Sequence, residues 1–452
     1  MVWGQNLNWL SNPNLVALMT PVLSEIARTQ GINYFLISFT DLFGTQRSKL
    51  VPASVIDQMA EGQAGFAGFA AWLDLTPADA DVFAQPDRQR LYQLPWQPEL
   101  GWMPADLIQS NGEPLAQTPR WVLKKVLAQA ERLGLRVKTG VECEFMLLSP
   151  TEWTISDGQD RQAKPCYDQQ SLMRRFSVIR GICDGMQKLG WHPYQSDHED
   201  ANGQFEMNWL FDDALVTADR HAFFKYMVKS IAEQQGYRAT FMPKPFPQLT
   251  GNGCHTHLSV WDVAGVTNLF ADEKGELGLS PLAYHFIGGV LYHAPGLCAL
   301  TNPTVNSYRR LHAPPTNSGA TWAPGTISYS GNNRTHLIRI PDPGRFELRL
   351  ADGAVNPYLL TAGLIAAGLD GICQQRHPGS RSDNNNYTDP LPGLPTLPLS
   401  LLEALEQLDQ SSMFREALGD AFVDAYVKLK KQQWQEYSRQ ITPWERETTL
   451  DC

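Results

Sequence analysis

Carboxylate and imidazole side chains recur at alternate positions of several predicted strands. They are Glu142 and Glu144, His255 and His257, and Glu347, which lies between Arg345 and Arg349. Because side chains alternate across a strand, each pair shares one face of its strand. The segment HEDANGQFE adds Glu199 and Glu206 on either side of a glycine turn. Each pair taken alone is more typical of surface carboxylates or structural histidines.

Taken together, these groups predict a divalent metal site. Glutamates gathered in one cavity would repel one another, since like charges about 4 Å apart repel by several kcal/mol at an intermediate effective dielectric. A divalent cation removes that cost. Oxygen ligands with a single imidazole suit Mg²⁺ or Mn²⁺ more than zinc.

A stretch over residues 302–349 concentrates arginines in a chain that is acidic overall. Its arginines are Arg309, Arg310, Arg334, Arg339, Arg345 and Arg349, and its only acids are Asp342 and Glu347. Because the last arginines alternate with apolar residues, we expect strands that present Arg339, Arg345 and Arg349 on the same side as Glu347. Guanidinium groups on strands suit phosphate and carboxylate ligands, although salt bridges at a subunit interface would use the same residues.

Metal ligands beside an arginine cluster predict metal-assisted phosphoryl transfer, in which positioning and charge neutralisation do most of the work. A metal-dependent amidohydrolase is the second hypothesis from the residues alone. The histidine-poor ligand set and the many arginines disfavour it.

Composition predicts an ordinary globular protein of two domains. The 452 residues are 43% hydrophobic and 19% charged, with a formal net charge of −10, which argues against a nucleic-acid partner. The seven cysteines are scattered without a CxxC pair, so we expect a reducing cytoplasm rather than a disulfide framework or a zinc ribbon. No apolar run suggests a membrane span, and the first residues do not resemble a signal peptide.

The elements that must position these residues fall into two parts. The first part is predicted to hold a helix over residues 15–29, a hairpin over 31–52 and a mobile loop over 62–87. Frequent prolines place the domain boundary near residues 105–118. In the second part helices and strands alternate without regular βαβ spacing, so we expect an α+β fold with a mainly antiparallel sheet. Its predicted helices cover residues 118–132, 172–189, 214–235, 281–297, 357–374 and most of 401–442, and its predicted strands cover 136–148, 203–211 and 254–262.

Six motifs in this order and spacing resemble the glutamine synthetase family. They are VECEFML, HEDANGQFEMNW, TGNGCHTHLS, NPTVNSYRRL, NNRTHLIRIP and GRFELRLADGAVNPYLL. The resemblance spans nearly the whole chain. It implies an N-terminal β-grasp domain over residues 1–112 and a catalytic domain over residues 113–452 with a funnel-shaped site. It also implies a homo-oligomer, typically a dodecamer of two stacked hexameric rings that share sites between neighbouring subunits.

The resemblance also assigns roles by motif. One metal ion would be held by Glu144, Glu199 and Glu206, and another by Glu142, His255 and Glu347, for two or three Mg²⁺ or Mn²⁺ ions in all. His257 and Ser259 would lie along ATP, with Arg334, Arg339 and Arg345 around its phosphates. Arg310, Arg349 and the Gly251 backbone would bind glutamate. In the family, ATP phosphorylates the γ-carboxylate of glutamate and an amine displaces phosphate, and we expect Arg310 and Arg334 to act in catalysis.

Two departures from the family pattern concern the amine. Trp322 stands before Ala323-Pro324, where the family usually carries the glutamate that binds and deprotonates ammonium. Residues 62–66 read GQAGF where the family's acidic Asp-Gly-Ser-Ser loop is expected. An aromatic wall can accept an alkylammonium, so the sequence resembles the type III branch, which includes γ-glutamylmethylamide synthetases. We therefore expect a glutamate–amine ligase using methylamine or a similar amine, with Trp322 as a catalytic-site residue.

Other residues leave alternatives open. Asp74, Asp79 and Asp81 are weak candidates for the amine base, and Thr250 replaces an asparagine often found before the Gly251 position. Tyr387 lies near the place where some bacterial members carry an adenylylated tyrosine. A glutamine synthetase using ammonium and a non-catalytic assembly protein remain the competing hypotheses.

Overall fold

A computed structural model describes residues 22–452, and it contains two sheets. The first comprises β1 (Tyr34–Thr40), β2 (Gln46–Pro52), β3 (Ala64–Phe66), β4 (Val82–Pro86), β5 (Tyr92–Gln93) and β6 (Leu100–Ile108), in the order β2-β1-β6-β4-β3 with β5 beside β6. Two helices accompany it, α1 (Leu23–Gln30) and α2 (Ile56–Met59). β1 runs parallel to β6, and the other pairs in this sheet are antiparallel.

The predicted hairpin is confirmed as β1 and β2. Its turn closes because the Asp41 carboxylate accepts hydrogen bonds from the Phe43 and Thr45 backbone N–H groups, each at 3.0 Å. Gly44 has φ 81° there, a conformation that glycine adopts without steric cost. The predicted helix over residues 15–29 lies partly outside the described residues, and its described part is α1.

The predicted mobile loop over residues 62–87 is wrong in part, because it contains β3 and β4. These strands pair with each other, and β4 also pairs with β6. Ala64, Val82 and Ala84 are buried. Buried alanines can belong to a strand when neighbouring strands pair with it. The glycine- and alanine-rich composition of residues 62–87 therefore did not indicate the two strands.

The second sheet carries the candidate site. Its strands are β7 (Leu135–Leu148), β8 (Pro193–His198), β9 (Gln204–Trp209), β10 (Asp212–Asp213), β11 (Arg238–Thr240), β12 (Cys254–Asp262), β13 (Tyr329–Ser330), β14 (Ile338–Arg339) and β15 (Phe346–Leu348). The order is β13-β14-β15-β12-β7-β9-β8, with β10 and β11 also paired to β7. All pairs except β13 with β14 are antiparallel. The α+β class with a mainly antiparallel catalytic sheet is confirmed.

Helices pack around this second sheet. They are α3 (Pro119–Arg132), α4 (Gln169–Arg174), α5 (Phe176–Lys188), α6 (Ala214–Gln234), α7 (Pro281–Thr301), α8 (Val305–Leu311), α9 (Pro357–Cys373), α10 (Leu401–Gln410), α11 (Ser412–Leu418), α12 (Asp420–Ser438) and α13 (Pro443–Thr449). The single helix predicted over residues 172–189 is two helices, because Arg175 has non-helical φ and ψ angles. None of the helices within residues 22–452 combines the length and hydrophobicity needed to cross a bilayer. The domain division at residue 112 stays a prediction.

Candidate active site

Strand register brings the candidate metal ligands onto one face of the second sheet. The directly opposed pairs are Glu142 with His255, His257 with Glu347, Glu144 with Glu206, and Asp197 with Glu206. Opposed residues have Cβ atoms about 4.5–5.5 Å apart on the same side of a sheet, so these pairs form one continuous polar surface. The alternate residues, including Cys143 and Met207, are buried on the other side.

Glu142 connects the two histidines of β12. Its carboxylate oxygens lie 2.8 Å from His257 Nε2 and 3.3 Å from His255 Nδ1. Burial alone would raise the pKa of Glu142, but the hydrogen bonds from His255 and His257 lower it well below its ordinary value. Glu142 is therefore ionised at neutral pH.

The hydrogen bonds of the two histidines leave different ring nitrogens available. His257 Nδ1 accepts from Arg345 at 2.6 Å, so the Nε2 of a neutral His257 donates to Glu142. His255 contacts Glu142 through Nδ1, and its buried Nε2 has no hydrogen-bond partner among the described residues. A buried lone pair without a donor is the position expected for a metal ligand.

Two buried acids on the same surface, Glu199 and Glu206, lack counter-charges among residues 22–452. Neither Glu199 nor Glu206 forms an ion pair with a described residue. Burial raises the pKa of both well above the ordinary value, and repulsion from Glu144 and Glu142 respectively raises each further. Burial beside the same two glutamates raises the pKa of Asp197 to about 6. Such a cluster becomes favourable as carboxylates only when a cation joins it.

These residues fit a divalent metal site. Three groups on this surface have ligand atoms within 4.8 Å of one another, namely Glu142, Glu206 and His255; Glu142, His257 and Glu347; and Asp197, Glu199 and Glu206. The donors are mostly carboxylate oxygens with one free imidazole nitrogen, which suits Mg²⁺ or Mn²⁺.

The grouping differs from the predicted one. Glu206 joins Glu142 and His255, His257 replaces His255 beside Glu142 and Glu347, and Asp197 replaces Glu144 beside Glu199 and Glu206. Glu144 belongs to none of the three groups, because its Oε2 accepts hydrogen bonds from the Gly253 backbone N–H at 2.7 Å and from Gln204 Nε2 at 2.9 Å. Its other oxygen faces the space beside Gly253. A Cβ at Gly253 would lie 3.1 Å from Glu144 Oε1 and 3.2 Å from His255 Nε2, so the missing side chain keeps that space open.

Two arginines hold Glu347 as a carboxylate. Arg339 NH1 lies 2.7 Å from Glu347 Oε2, and Arg349 NH1 donates to Oε1. Burial alone would raise the pKa of Glu347, but Arg349 beside it lowers the pKa to about 2. The predicted face of Arg339, Arg345, Arg349 and Glu347 is present for three of its members, and Arg345 contacts His257 rather than Glu347.

Two adjacent cavities share Glu142 as a common wall. The first, of about 440 Å³, is lined by Glu142, Glu144, Cys166, Tyr167, Gln195, Ser196, Asp197, Glu199, Glu206, Thr250, His255, Trp322, Arg334, Arg339 and Arg349. The second, of about 360 Å³, is more apolar, and its lining includes His257, Ser259, Trp261, Phe211 and Arg345. An acidic and arginine-lined chamber beside an aromatic cleft can hold phosphates in one space and a nucleoside in the other.

Of the predicted glutamate-binding residues, Arg349 lines the first cavity, whereas Arg310 and Gly251 do not. Arg310 is buried, with NH1 donating to the Leu350 carbonyl at 3.1 Å. Its NH2 lies 2.9 Å from where a Cβ on Gly253 would be. Gly251 has no room for a side chain, because its Cβ would lie 2.2 Å from the Pro243 carbonyl oxygen.

Residues 312–325, called the flap below, cover part of the first cavity. Trp322 lines that cavity, and its indole Nε1 donates to Asp200 Oδ2 at 2.7 Å. No described residue of the flap carries a carboxylate. An indole therefore lines the first cavity, and the described flap supplies no acid to it; the role of Trp322 stays a prediction.

Most predicted site residues come together in these two cavities, but their roles stay predictions. Asp74, Asp79 and Asp81 line neither cavity of the described chain. Asp74 instead forms a salt bridge with Lys428 at 2.7 Å.

Sequence reasoning missed two residues, Asp197 and Asp200. Asp197 could have been found, because it precedes Glu199 by two positions on a strand. Asp200 could not, because its partners Thr250 and Trp322 are far away in the sequence.

Comparison with known proteins agrees with this geometry. The model of the glutamine synthetase catalytic domain matches residues 116–449. A protein named glutamine synthetase from Rhizobium meliloti is 59% identical over 435 residues, which cover 96% of this chain and 100% of that protein. A protein named glutamate–methylamine ligase from Methyloversatilis universalis is 43% identical over 438 residues, covering 94% of this chain and 98% of that protein.

Solved structures match equally well over the whole length. One described as a GmaS/ADP complex has a TM-score of 0.93 and 60% identity, covering 96% of this chain and 100% of that chain. Another, described as apo GmaS without ligand, has a TM-score of 0.91 and 58% identity, covering 95% of this chain and 100% of that chain.

Fold, site and matches define an ATP-dependent ligase. The chain belongs to the glutamine synthetase family. Members of this family typically form oligomers, act on small molecules and use ATP with divalent metal ions.

Proposed function

We propose that this chain is an ATP-dependent glutamate–amine ligase whose acceptor is a small primary amine such as methylamine. The observation that carries the proposal is Trp322, which lines the first cavity where the family usually places a glutamate. An indole face attracts an alkylammonium by cation–π and apolar contact, whereas ammonium is held best by carboxylates. The GmaS structures and the glutamate–methylamine ligase are similar to this chain, which supports the same acceptor.

The proposed reaction uses one cavity for each substrate. Glutamate is bound at the first cavity by Arg310, Arg349 and the Gly251 backbone. ATP is bound at the second cavity by His257, Ser259 and Arg345. A γ-carboxylate oxygen of glutamate attacks the γ-phosphorus of ATP, and ADP leaves. The amine nitrogen then attacks the γ-carbonyl carbon, phosphate leaves and the nitrogen loses a proton.

Charge neutralisation is the main contribution of the protein to the first step. Arg334 and Arg339 line the first cavity, and in the proposed reaction their guanidinium groups offset the charge that develops on the phosphoryl oxygens. Glu144, Glu199 and Glu206, with Glu142, His255 and Glu347, would hold two or three Mg²⁺ or Mn²⁺ ions, which supply further charge neutralisation when bound. The flap limits access of water to the acyl phosphate.

Ammonium is the alternative acceptor, and one specific observation favours it. The relative from Rhizobium meliloti, at 59% identity, is named glutamine synthetase. For this chain to bind ammonium well, an acid from outside the flap would have to reach the ammonium position. We propose the dodecamer of the family for this chain, and mass photometry will distinguish twelve copies of the 50.6-kDa chain from fewer.

Steady-state kinetics with ammonium, methylamine, ethylamine, ethanolamine and putrescine test the acceptor. We expect kcat/KM to be highest with methylamine or ethylamine, measured as ADP release and confirmed by mass spectrometry of the product. Trp322→Ala should reduce that preference by about tenfold, the size of a partly desolvated cation–π contact. Trp153→Ala, which removes an exposed indole outside both cavities, serves as the matched control. A higher kcat/KM with ammonium than with any alkylamine would refute the proposal.

A further inference from the structure

A single carboxylate, that of Asp200, attaches the flap to the metal-binding part of the molecule. Its Oδ2 accepts hydrogen bonds from Trp322 Nε1 at 2.7 Å, from Thr250 Oγ1 at 2.6 Å and from the Ser318 hydroxyl. Two of these donors, Trp322 and Ser318, belong to the flap. The Asp200 backbone N–H donates to Glu199 Oε2 at 3.1 Å, so the same residue also contacts the candidate metal ligands.

The Asp200 carboxylate depends on these neutral donors. It is only 8% exposed, and it forms no ion pair with a described residue. A buried carboxylate without a cation needs hydrogen bonds to remain stable, and hydrogen bonds to an ionised acceptor are the stronger kind. The hydrogen bond from each donor to Asp200 is therefore stronger than one to a neutral acceptor would be. These stronger bonds hold the flap in place.

The backbone conformation of Trp322 is one that must be stabilised by contacts with surrounding residues. Trp322 has φ 56°, in the left-handed region that a bulky side chain rarely adopts. Such a conformation persists only when surrounding contacts stabilise it. The bond from the indole to Asp200 is a contact of this kind, and it is made by the side chain that forms the cavity wall.

Thr250 has a role in the same contact. Its hydroxyl donates to Asp200 and lies 3.3 Å from the Thr316 hydroxyl of the flap. Thr316 Oγ1 in turn donates to the Ala320 carbonyl at 2.8 Å. The threonine that replaces the family's usual asparagine therefore supports the flap here.

We propose that Asp200 is a positioning residue that fixes Trp322 as the wall of the amine subsite and so sets which amines bind. Asp200 is not one of the described residues that line the first cavity. It therefore acts through the Trp322 indole, to which it is hydrogen-bonded. The inference rests on the proposed function in one respect, which is that the amine binds against Trp322. Loosening the contact should weaken amine binding and broaden the size of amine accepted, with little effect on ATP or glutamate.

A double-mutant cycle of Asp200→Asn and Trp322→Phe tests the proposal. Trp322→Phe keeps an aromatic wall and removes the N–H donor, and Asp200→Asn keeps the shape and removes the charge. We expect each single variant to raise the KM for the amine about tenfold, with the KM for ATP and glutamate changed less than about twofold. Because both variants break the same contact, the double variant should resemble the singles. Efficiency with ethylamine relative to methylamine should rise in all three.

Controls separate positioning from folding. Asp213→Asn changes a surface aspartate paired with Arg136 and should leave every KM unchanged. Ser318→Ala removes the other flap donor to Asp200 and leaves the acid and the indole in place. It should show the same pattern at smaller size, because the Trp322 contact remains, and it tests the proposal even if Asp200→Asn fails to fold. Multiplied effects in the double variant, or a parallel rise in all three KM values, would overturn the proposal.

The outcome remains interpretable if the acceptor proposal fails. The amine panel on the unmodified enzyme reports which amine is used, and the same cycle is then run with that amine. If ammonium is the acceptor, and the single and double variants raise the KM for ammonium by the same factor, the proposed function is wrong but the proposed role of Asp200 is supported.

Discussion

The proposed phosphate side and the proposed amine side of the first cavity are built in different ways. On the phosphate side, Arg339, Glu347 and Arg349 come from paired strands or their ends, and both arginines form ion pairs with Glu347. On the amine side, the flap has no regular strand or helix among its described residues. Two of its side chains, Ser318 and Trp322, hydrogen-bond to the same aspartate, Asp200.

This difference implies that the sheet determines the class of reaction and the flap determines which amine is accepted. A strand register cannot change without moving every side chain to the other face, so the metal and arginine groups are fixed together. A flap held by a few side-chain hydrogen bonds can exchange one wall residue for another without disturbing that register. Relatives with the same sheet can therefore use different amines.

The largest expected effect comes from breaking the phosphate side. Glu206→Gln removes one buried metal ligand of nearly the same shape, and ADP release should fall by about 10³-fold with every amine, since metal ions supply several kcal/mol of charge stabilisation to such transition states. The loss should not depend on which amine is supplied.

Glu131→Gln, an exposed substitution of the same type, is the control for Glu206→Gln. A loss confined to one amine would contradict the separation of the two sides.

The phosphate side was also the part that the sequence predicted best. Period-two spacing placed Glu142 with Glu144 and His255 with His257 on long strands, because alternation is a local property of one strand. Which strands are neighbours is not local. That β7, β12 and β15 converge was a hypothesis from the chemistry of their residues, which the motif resemblance supported, and the strand pairing confirms it.

The amine side shows where sequence reasoning stops. Trp322 could be identified because a motif fixed its position, but its contact with Asp200 spans 122 residues and leaves no periodic signal. The pairing of β3 with β4 was missed for a similar reason. Alanine and glycine have weak strand preferences, and only the neighbouring β6 makes that segment a strand.

A smaller effect is expected from changing the amine side alone. Trp322→Glu supplies the acid that the family usually carries, and it should raise kcat/KM for ammonium relative to methylamine by about tenfold, the size of one ion pair in a partly buried site. Trp322→Gln has nearly the same shape without the charge and should show no such gain.

Both variants lose the indole donor to Asp200, so the difference between them isolates the charge. Equal ammonium use by the two variants would mean that the flap position does not contact the amine.

The smallest expected effect is a shift in thermal stability, and it again separates the two sides. Burial raises the pKa of Glu199 and Glu206, and that of Asp197 to about 6. Without metal the folded protein therefore binds protons that the unfolded chain has released. The stability that these groups contribute is fully present below their unfolded pKa values and is lost as pH rises through the folded values. Glu347, with its pKa lowered to about 2, has the opposite sign and acts only at lower pH.

Metal binding favours the ionised carboxylates, so Mg²⁺ should raise the Tm more at about pH 7.5 than at about pH 5.5, by a few degrees relative to EDTA. Differential scanning fluorimetry measures both shifts. Trp322→Phe should retain the full Mg²⁺ shift, because the flap contributes no metal ligand, whereas Glu206→Gln should lose most of it. A Tm shift with Mg²⁺ that is the same at both pH values would mean that the acids with raised pKa values do not bind the ion. Loss of the shift in Trp322→Phe would show that the flap and the metal site are coupled through Asp200 and Glu199, and that the two sides are not independent.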